Sequence, residues 1–245
     1  MRYLVISDIH ANLPAFEAVL EDAKGQYDKV WCLGDVVGYG PHCNECIELL
    51  ASLDAVCVAG NHDWATLGRL DMDDFNPDAR AVLSWTHRQL TQRNLRFLEQ
   101  LGEKAVEGEF TLVHGSPRHP IWEYILYPSV AQANFAYFDT RCCLVGHTHS
   151  AVIFQADGAG DELYAAYLPD FNQGPAPLAE ARLIINPGSV GQPRDGDPRA
   201  SYALLDVDQL TLECRRVAYP VERTQESMQK YGLPPRLIGR LTFGW

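Results

Sequence analysis

Short apolar runs that stop abruptly at polar clusters set the rhythm of the first half of the chain. Residues 3–7, 30–33, 55–59, 110–113 and 142–145 are such runs, each of a length that suits a buried strand. Helical patterns lie between them. Leu13, Phe16, Val19, Leu20 and Ala23 fall on one helical face, and Asn12 and Pro14 suit its start. A second helix is expected over about 41–50. Asn76-Pro77 pairs a cap with a first-turn proline and opens a helix to about Leu90. Thr91 caps another reaching Leu101, and a further helix is expected over 128–138.

The second half reads differently. Residues 151–155, 162–166, 181–185, 201–207 and 211–217 are strand-like runs with little helix between them. Pro/Gly-rich loops cover 170–177 and 186–198, and a tail of one or two short helices covers about 220–245. Mixed βα units followed by a β-rich half predict an α/β protein with two sheets packed face to face and helices outside. No linker or internal repeat divides the chain, so one domain over 1–245 is expected.

Composition narrows the partners. Hydrophobic residues make up 47% and charged residues 21%, ample for a core. A net charge of −12 repels a polyanion, which argues against long nucleic acids. It permits a small phosphate substrate where bound cations invert the local field. No apolar segment is long enough for a membrane span and no signal-peptide pattern opens the chain, so a cytoplasmic location without membrane partners is expected. Of seven cysteines, Cys32, Cys57, Cys142 and Cys143 sit in apolar runs and read as core. Cys43 and Cys46 have zinc-like spacing but no second pair to complete a site.

Five polar clusters each follow directly on an apolar run. They are Asp8-Ile9-His10, Gly34-Asp35-Val36-Val37-Gly38, Gly60-Asn61-His62-Asp63, His114-Gly115 and Gly146-His147-Thr148-His149. In open α/β sheets ligands bind at the carboxyl ends of strands, so the clusters are expected to converge. Carboxylates (Asp8, Asp35), an amide oxygen (Asn61) and imidazoles (His10, His114, His147, His149) form a mixed N/O set suited to two divalent first-row metals. Alternation along extended chain would let Asp8 with His10, and His147 with His149, face one crevice. Taken singly, Asp8 and Asp35 could cap helices, His10 could sit in a surface loop, and Asn61 with His62 could form a turn. His42 and His87 belong to no cluster.

The ordered set Asp-x-His, Gly-Asp-x-x-Gly, Gly-Asn-His-Asp, strand-end His and Gly-His-x-His resembles the calcineurin-like metallophosphoesterase family. Asn186-Pro187-Gly188-Ser189, followed by Pro193-Arg194, is similar to its small prokaryotic phosphodiesterase branch. The resemblance implies a four-layer α/β/β/α sandwich with two mixed sheets. It implies that Asp8, His10 and His149 hold one metal, that Asn61, His114 and His147 hold a second, and that Asp35 bridges them. It implies that His62 assists the leaving group while a metal-bridging hydroxide attacks phosphorus in line. Small phosphodiesters, such as cyclic nucleotides or dinucleotide polyphosphates, are the expected substrates. Manganese is the metal the resemblance favours; iron, zinc, nickel and cobalt suit the same donors. The competing functions are a catalytically silent scaffold on the same fold and a protein phosphatase. Asp63 either orients His62 or caps the following segment. Tyr39, Arg118, His119, Trp122 and Tyr124 either wall the substrate pocket or pack over the core, Arg194 either contacts phosphate or is a solvated loop arginine, and homo-oligomerisation stays open.

Overall fold

The computed structural model describes residues 1–157, 162–178 and 180–245. In chain order the elements are β1 (Arg2–Ile6), α1 (Leu13–Asp22), β2 (Lys29–Cys32), α2 (Cys43–Ala51), β3 (Ala55–Cys57), α3 (Asn61–Thr66), α4 (Pro77–Gln89) and α5 (Gln92–Glu99). Then follow β4 (Lys104–Glu107), β5 (Phe110–Val113), α6 (Pro128–Asn134), β6 (Cys142–Leu144), β7 (Val152–Ala156), β8 (Leu163–Tyr167) and β9 (Ala176–Pro177). The chain ends with β10 (Leu183–Asn186), β11 (Ala200–Asp206), β12 (Thr211–Val217), α7 (Val221–Lys230) and α8 (Pro235–Arg240).

These strands form two six-stranded sheets, ordered β3-β2-β1-β11-β12-β9 and β4-β5-β6-β10-β7-β8. Each contains three adjacent parallel strands, β3-β2-β1 in one and β5-β6-β10 in the other, with antiparallel pairs at their flanks. The period-2 alternation decides the layers. Tyr3, Val5, Trp31 and Leu33 of the first sheet pack between the sheets against Phe110, Leu112, Leu144, Leu183 and Ile185 of the second. Their neighbours Leu4, Ile6, Val30 and Cys32 face the other way, onto Phe16, Val19, Ile47 and Leu50 of α1 and α2. On the far side Cys143, Phe154 and Ile184 pack against Ala131 and Phe135. The four-layer sandwich follows.

The helical tail is held by its apolar face. Leu233, Leu237, Ile238 and Leu241 are buried with Ala79, Val82 and Leu83 of α4. Four such side chains contribute a gross ~6–12 kcal/mol, which holds a helix too short to persist alone. No described helix is long and apolar enough to cross a membrane.

Beside the two-residue β9, which falls in the expected 170–177 loop, three elements differ from expectation. The stretch expected over 128–138 as one helix ends at Asn134 and continues as a 3-10 turn, Phe135–Tyr137. Strand β4 has charged residues at both ends and a half-exposed pattern, which masked it. Helix α3 has six residues and no apolar stripe, so its segment read as a turn.

Candidate metal centre

The parallel strands direct their carboxyl ends to one side. Asp8 follows β1, Asp35 follows β2, Asn61 opens α3 after β3, His114 follows β5, and His147 and His149 follow β6. The structure brings all seven together in the interior; none is more than 3% exposed. Ligand atoms of Asp8, His10, Asp35 and His149 lie within 4.8 Å of one another, as do those of Asp35, His114 and His147. Asp35 belongs to both groups. Asn61 Oδ1 joins the second, 3.1 Å from His114 Nε2.

Proton positions make this a site for cations. His10 Nδ1 faces the Val37 carbonyl at 3.1 Å, His114 Nδ1 the Leu33 carbonyl at 2.8 Å, His149 Nδ1 the Gln192 carbonyl at 2.6 Å, and His147 Nε2 the Trp122 carbonyl at 3.1 Å. A carbonyl only accepts, so each outer nitrogen carries its proton; His10, His147 and His149 as neutral rings turn a lone pair inward, and His114 does so once a cation replaces the inner proton that Asp35 holds on it. Yet His10 Nε2 and His149 Nε2 are 3.0 Å apart, and His114 Nε2 and His147 Nδ1 are 3.1 Å apart. The facing lone pairs of His10 and His149 repel at that distance unless a cation sits against both, and the His114–His147 pair is close enough to share either a proton or a cation. Asp8 Oδ1 and Asp35 Oδ2 point into the same space and have no hydrogen-bond partner. Asp8 Oδ1 is 3.3 Å from His149 Nε2, while Asp35 Oδ2 is 3.5 Å from His10 Nε2 and 3.4 Å from His114 Nε2. The donor set therefore fits divalent metals.

Electrostatics agree. Burial pushes the Asp8 carboxyl up to about 6, and the charge of Asp35 adds to the push. Burial lowers His10, His147 and His149 well below the ordinary imidazole range. Burial would raise Asp35, but the facing His114, His62 and His10 hold it below the usual carboxylate range. Burial likewise works against a charged His114, but Asp35 outweighs it and lifts that ring to about 9. Neutral His10, His147 and His149, with a His114 proton held only by Asp35, surround carboxylate oxygen in a desolvated cradle where a cation can take that proton's place.

The backbone is strained where it carries these groups. Eight described non-glycine residues have positive φ, and five are Asp8 (54°), His10 (49°), Asp35 (53°), His147 (66°) and His149 (58°). Each such residue costs about 1–3 kcal/mol and persists only where its surroundings over-determine it. Here they do: the amides of Asp8, His10 and Ala11 donate to the carbonyls of Gly34, Asp35 and Val36, and Gly191 donates to the Asp8 carbonyl. This corrects the expectation from alternation. Asp8 with His10, and His147 with His149, lie beyond the strand ends in left-handed turns, and a pleat does not align them. Gly60 is required because a Cβ there would run into the Asp35 carboxylate.

Supporting residues decide the rest. Asp8 Oδ2 accepts from the His147 amide at 3.2 Å and Asp35 Oδ1 from the His62 amide at 2.8 Å, which aims their free oxygens inward. Asp63 does not orient His62. Its carboxylate accepts from the amides of Val36, Val37 and Gly60 at 3.0, 3.2 and 2.9 Å, stapling the Asp35 loop to the start of α3. Neither Asp8 nor Asp35 caps a helix; Asn12 caps α1. The His62 ring lies 4.8 Å from His10, 4.3 Å from Tyr39 and 5.5 Å from Phe75. Tyr124 stacks on His147 at 3.7 Å, and Trp122 meets Phe75 at 4.9 Å. Arg118 is paired with Glu123, and His119 is exposed. His87 bonds the Thr66 carbonyl, His42 stands at the start of α2, and all seven cysteines are free thiols. Phe75, Gln192 and the bracing role of Asn186, whose amide donates to the Gly146 carbonyl at 2.7 Å, were not foreseen. Asn186 obeys the same rule as the five clusters, a polar residue ending an apolar run.

Known proteins share this arrangement of chain. The family model described as calcineurin-like phosphoesterase superfamily domain matches residues 1–210. A metallophosphoesterase from Sphaerobacter thermophilus superposes with a TM-score of 0.89 at 49% identity, covering 100% of this chain and 99% of that one. An uncharacterized protein of Methanocaldococcus jannaschii is 40% identical over 247 residues, 98% of this chain and 97% of that protein. A symmetrical bis(5'-nucleosyl)-tetraphosphatase of Psychromonas ingrahamii is 37% identical over 222 residues, 84% of this chain and 68% of that enzyme. The enzyme of that name from Pseudomonas entomophila matches over 105 residues, 37% of its length. With a donor set suited to divalent metals at its strand ends and the family model spanning most of its length, this chain belongs to the calcineurin-like phosphoesterase superfamily, a family of metal-dependent hydrolases.

Proposed function

We propose that the protein is a phosphodiesterase acting on small phosphodiesters of the cyclic-nucleotide or dinucleotide-polyphosphate type, with a pair of divalent metals, manganese first among them. The observation that carries this reading is the convergence of four inward imidazole nitrogens on the unpartnered oxygens of Asp8 and Asp35. Asp8, His10 and His149 would hold one cation, Asn61, His114 and His147 the other, and Asp35 both. Bound there, the cations would supply Lewis acidity toward a phosphoryl group and acidify water.

The chain's own residues do the positioning. Carbonyls of Val37, Leu33, Gln192 and Trp122 lock the imidazole tautomers, so the donors meet a cation without rearranging. His62 is kept neutral because burial pushes it down to about 4. Its Nδ1 is buried and unpartnered, facing Gly38, which leaves Nε2 to share a proton with a departing oxygen. Trp122 and Tyr124 are partly exposed beside His147 and present aromatic faces to a nucleobase. Relatives named bis(5'-nucleosyl)-tetraphosphatase support a nucleotide substrate. A silent scaffold would have no use for an intact donor set and strained ligand loops.

The test is a substrate panel after chelation and again after adding back manganese, iron, zinc, nickel or cobalt. It should include bis(p-nitrophenyl) phosphate, cyclic nucleotides and a dinucleoside tetraphosphate. Metal-dependent turnover of diesters is expected; no turnover of any diester with any metal would refute the reading.

A further inference from the structure

Beside the centre, two guanidinium groups share one neutral acceptor. Arg194 Nη2 donates to Gln192 Oε1 at 3.0 Å, and Arg240 Nη1 donates to the same oxygen at 3.3 Å. Gln192 is also the residue whose backbone carbonyl orients His149. The Arg194 amide donates to the His149 carbonyl at 3.1 Å, and its guanidinium lies 5.5 Å from the centre of the Tyr39 ring. Tyr39 in turn lies 4.6 Å from the His10 ring and 4.3 Å from that of His62, which places Arg194 beside the centre.

Neither arginine makes an ion pair among the described residues, whereas Arg118, Arg199, Arg215 and Arg216 each reach a carboxylate. Arg194 Nε is buried without a partner, as is Gln192 Nε2. Burial and the charges of Arg194 and Arg236 act against Arg240's proton, while Tyr39 and Asp78 favour it. Two like charges held together with unfilled donors, in a chain of net charge −12, form a cradle for an anion. The fold builds it deliberately. Arg240 ends α8, whose Leu237 and Ile238 are buried, and the Gly196 amide bonds the Gly244 carbonyl at 2.9 Å, tying the tail to the Arg194 loop. Arg240 lies outside residues 1–210, the span of the family domain.

We propose that Arg194 and Arg240 form an anion subsite that grips a second phosphate of the substrate, so that the preferred substrates carry the reacting phosphate within a nucleotide polyphosphate chain. This rests on the phosphoesterase reading and specifies its substrate.

The experiment compares kcat/KM for a dinucleoside tetraphosphate with that for bis(p-nitrophenyl) phosphate, which has no second phosphate. In Arg240→Gln the ratio should fall about tenfold or more, the loss of one charge-assisted contact, and mainly through KM. Arg194→Gln, on a separate element, should lower it likewise, so a tail that fails to pack in one variant does not decide the matter. Arg240→Lys should restore part of the ratio. Arg236→Gln, which removes an exposed charge from the same helix, should leave the ratio where it was. An unchanged ratio in both glutamine variants would overturn the subsite, as would an equal drop in Arg236→Gln. Absence of turnover on both substrates by the unaltered protein would overturn the phosphoesterase reading itself, and the subsite with it.

Discussion

Replacing Asp63 by alanine removes the acceptor of three buried amides at once. Asp63, Val36 and Val37 are fully buried, and the carboxylate is the partner of the Val36, Val37 and Gly60 N–H groups. A buried donor left unpaired costs about 1–3 kcal/mol. Three would cost ~3–9 kcal/mol in a dry cavity, but a water in the vacated space can satisfy one or two of them. One or two donors left unpaired give an expected loss of about 1–6 kcal/mol, a large share of the ~5–15 kcal/mol typical of a whole protein. Asp63→Asn separates hydrogen bonding from shape. Its oxygen still serves Val36 and Val37, and only the Gly60 amide meets a donor, so about 1–2 kcal/mol should be lost. Urea unfolding followed by circular dichroism, on metal-stripped protein in chelator, reads these differences without adding the stability that bound metal lends. A loss under about 1 kcal/mol for alanine, or equal losses for alanine and asparagine, would refute the reasoning.

Other outcomes follow from the same geometry. His62→Ala should lower turnover about 10²–10⁴-fold with metal content retained, and less for nitrophenyl esters, whose leaving groups need no proton; metal lost in parallel would make His62 a ligand. Asp35→Ala should deplete both metals by elemental analysis, and full occupancy at normal rate would remove Asp35 from the centre. Gly38 has φ +91°, and a Cβ there would come 2.9 Å from His62 Cγ, so Gly38→Ala should cost about 10²-fold in rate through misplacement of the ring; unaltered kinetics would show that the ring has room to move. Burial raises the Glu123 carboxyl, but hydrogen bonds from Arg118, Asn134 and Ser116 prevail and hold it at about 2. A depressed carboxyl stabilises above its ordinary value near ~4.3 and loses that contribution as pH falls toward its folded value. The melting-temperature gap between the unaltered protein and Glu123→Gln should therefore shrink between about pH 5 and 2.5; a constant gap would rule out the pairing.

Much of the site was legible in the chain because its donors obey a local rule. Each cluster follows an apolar run, and Asp8, Asp35, His114 and His147 could be named as convergent from that alone. The division of the donors into two groups sharing Asp35 was implied by family resemblance, since no spacing rule separates His147 from His149. Of the two roles open to Asp63 the structure bears out the cap, through the Gly60 amide at the start of α3, while its partners Val36 and Val37, 27 and 26 positions away, were invisible to any local signal. Short elements escaped notice for lack of periodicity. Helix α3 has six residues, of which only Trp64 and Ala65 are apolar, and β9 has two residues.

Local pattern by itself determined the longer strands, the principal helices and the chemical character of the donors, because side-chain periodicity and turn chemistry act over a few residues. Which strand joined which sheet was decided only in three dimensions. The β-rich second half sends β9, β11 and β12 to one sheet and β7, β8 and β10 to the other, so each sheet is shared between both halves. Pairings such as Val5 with Ala203 depend on the packing of whole layers, to which no short stretch of sequence is sensitive. The left-handed turns that aim the ligands, and the meeting of Arg194 with Arg240, have the same origin. They exist because distant backbone groups and buried apolar faces hold them there.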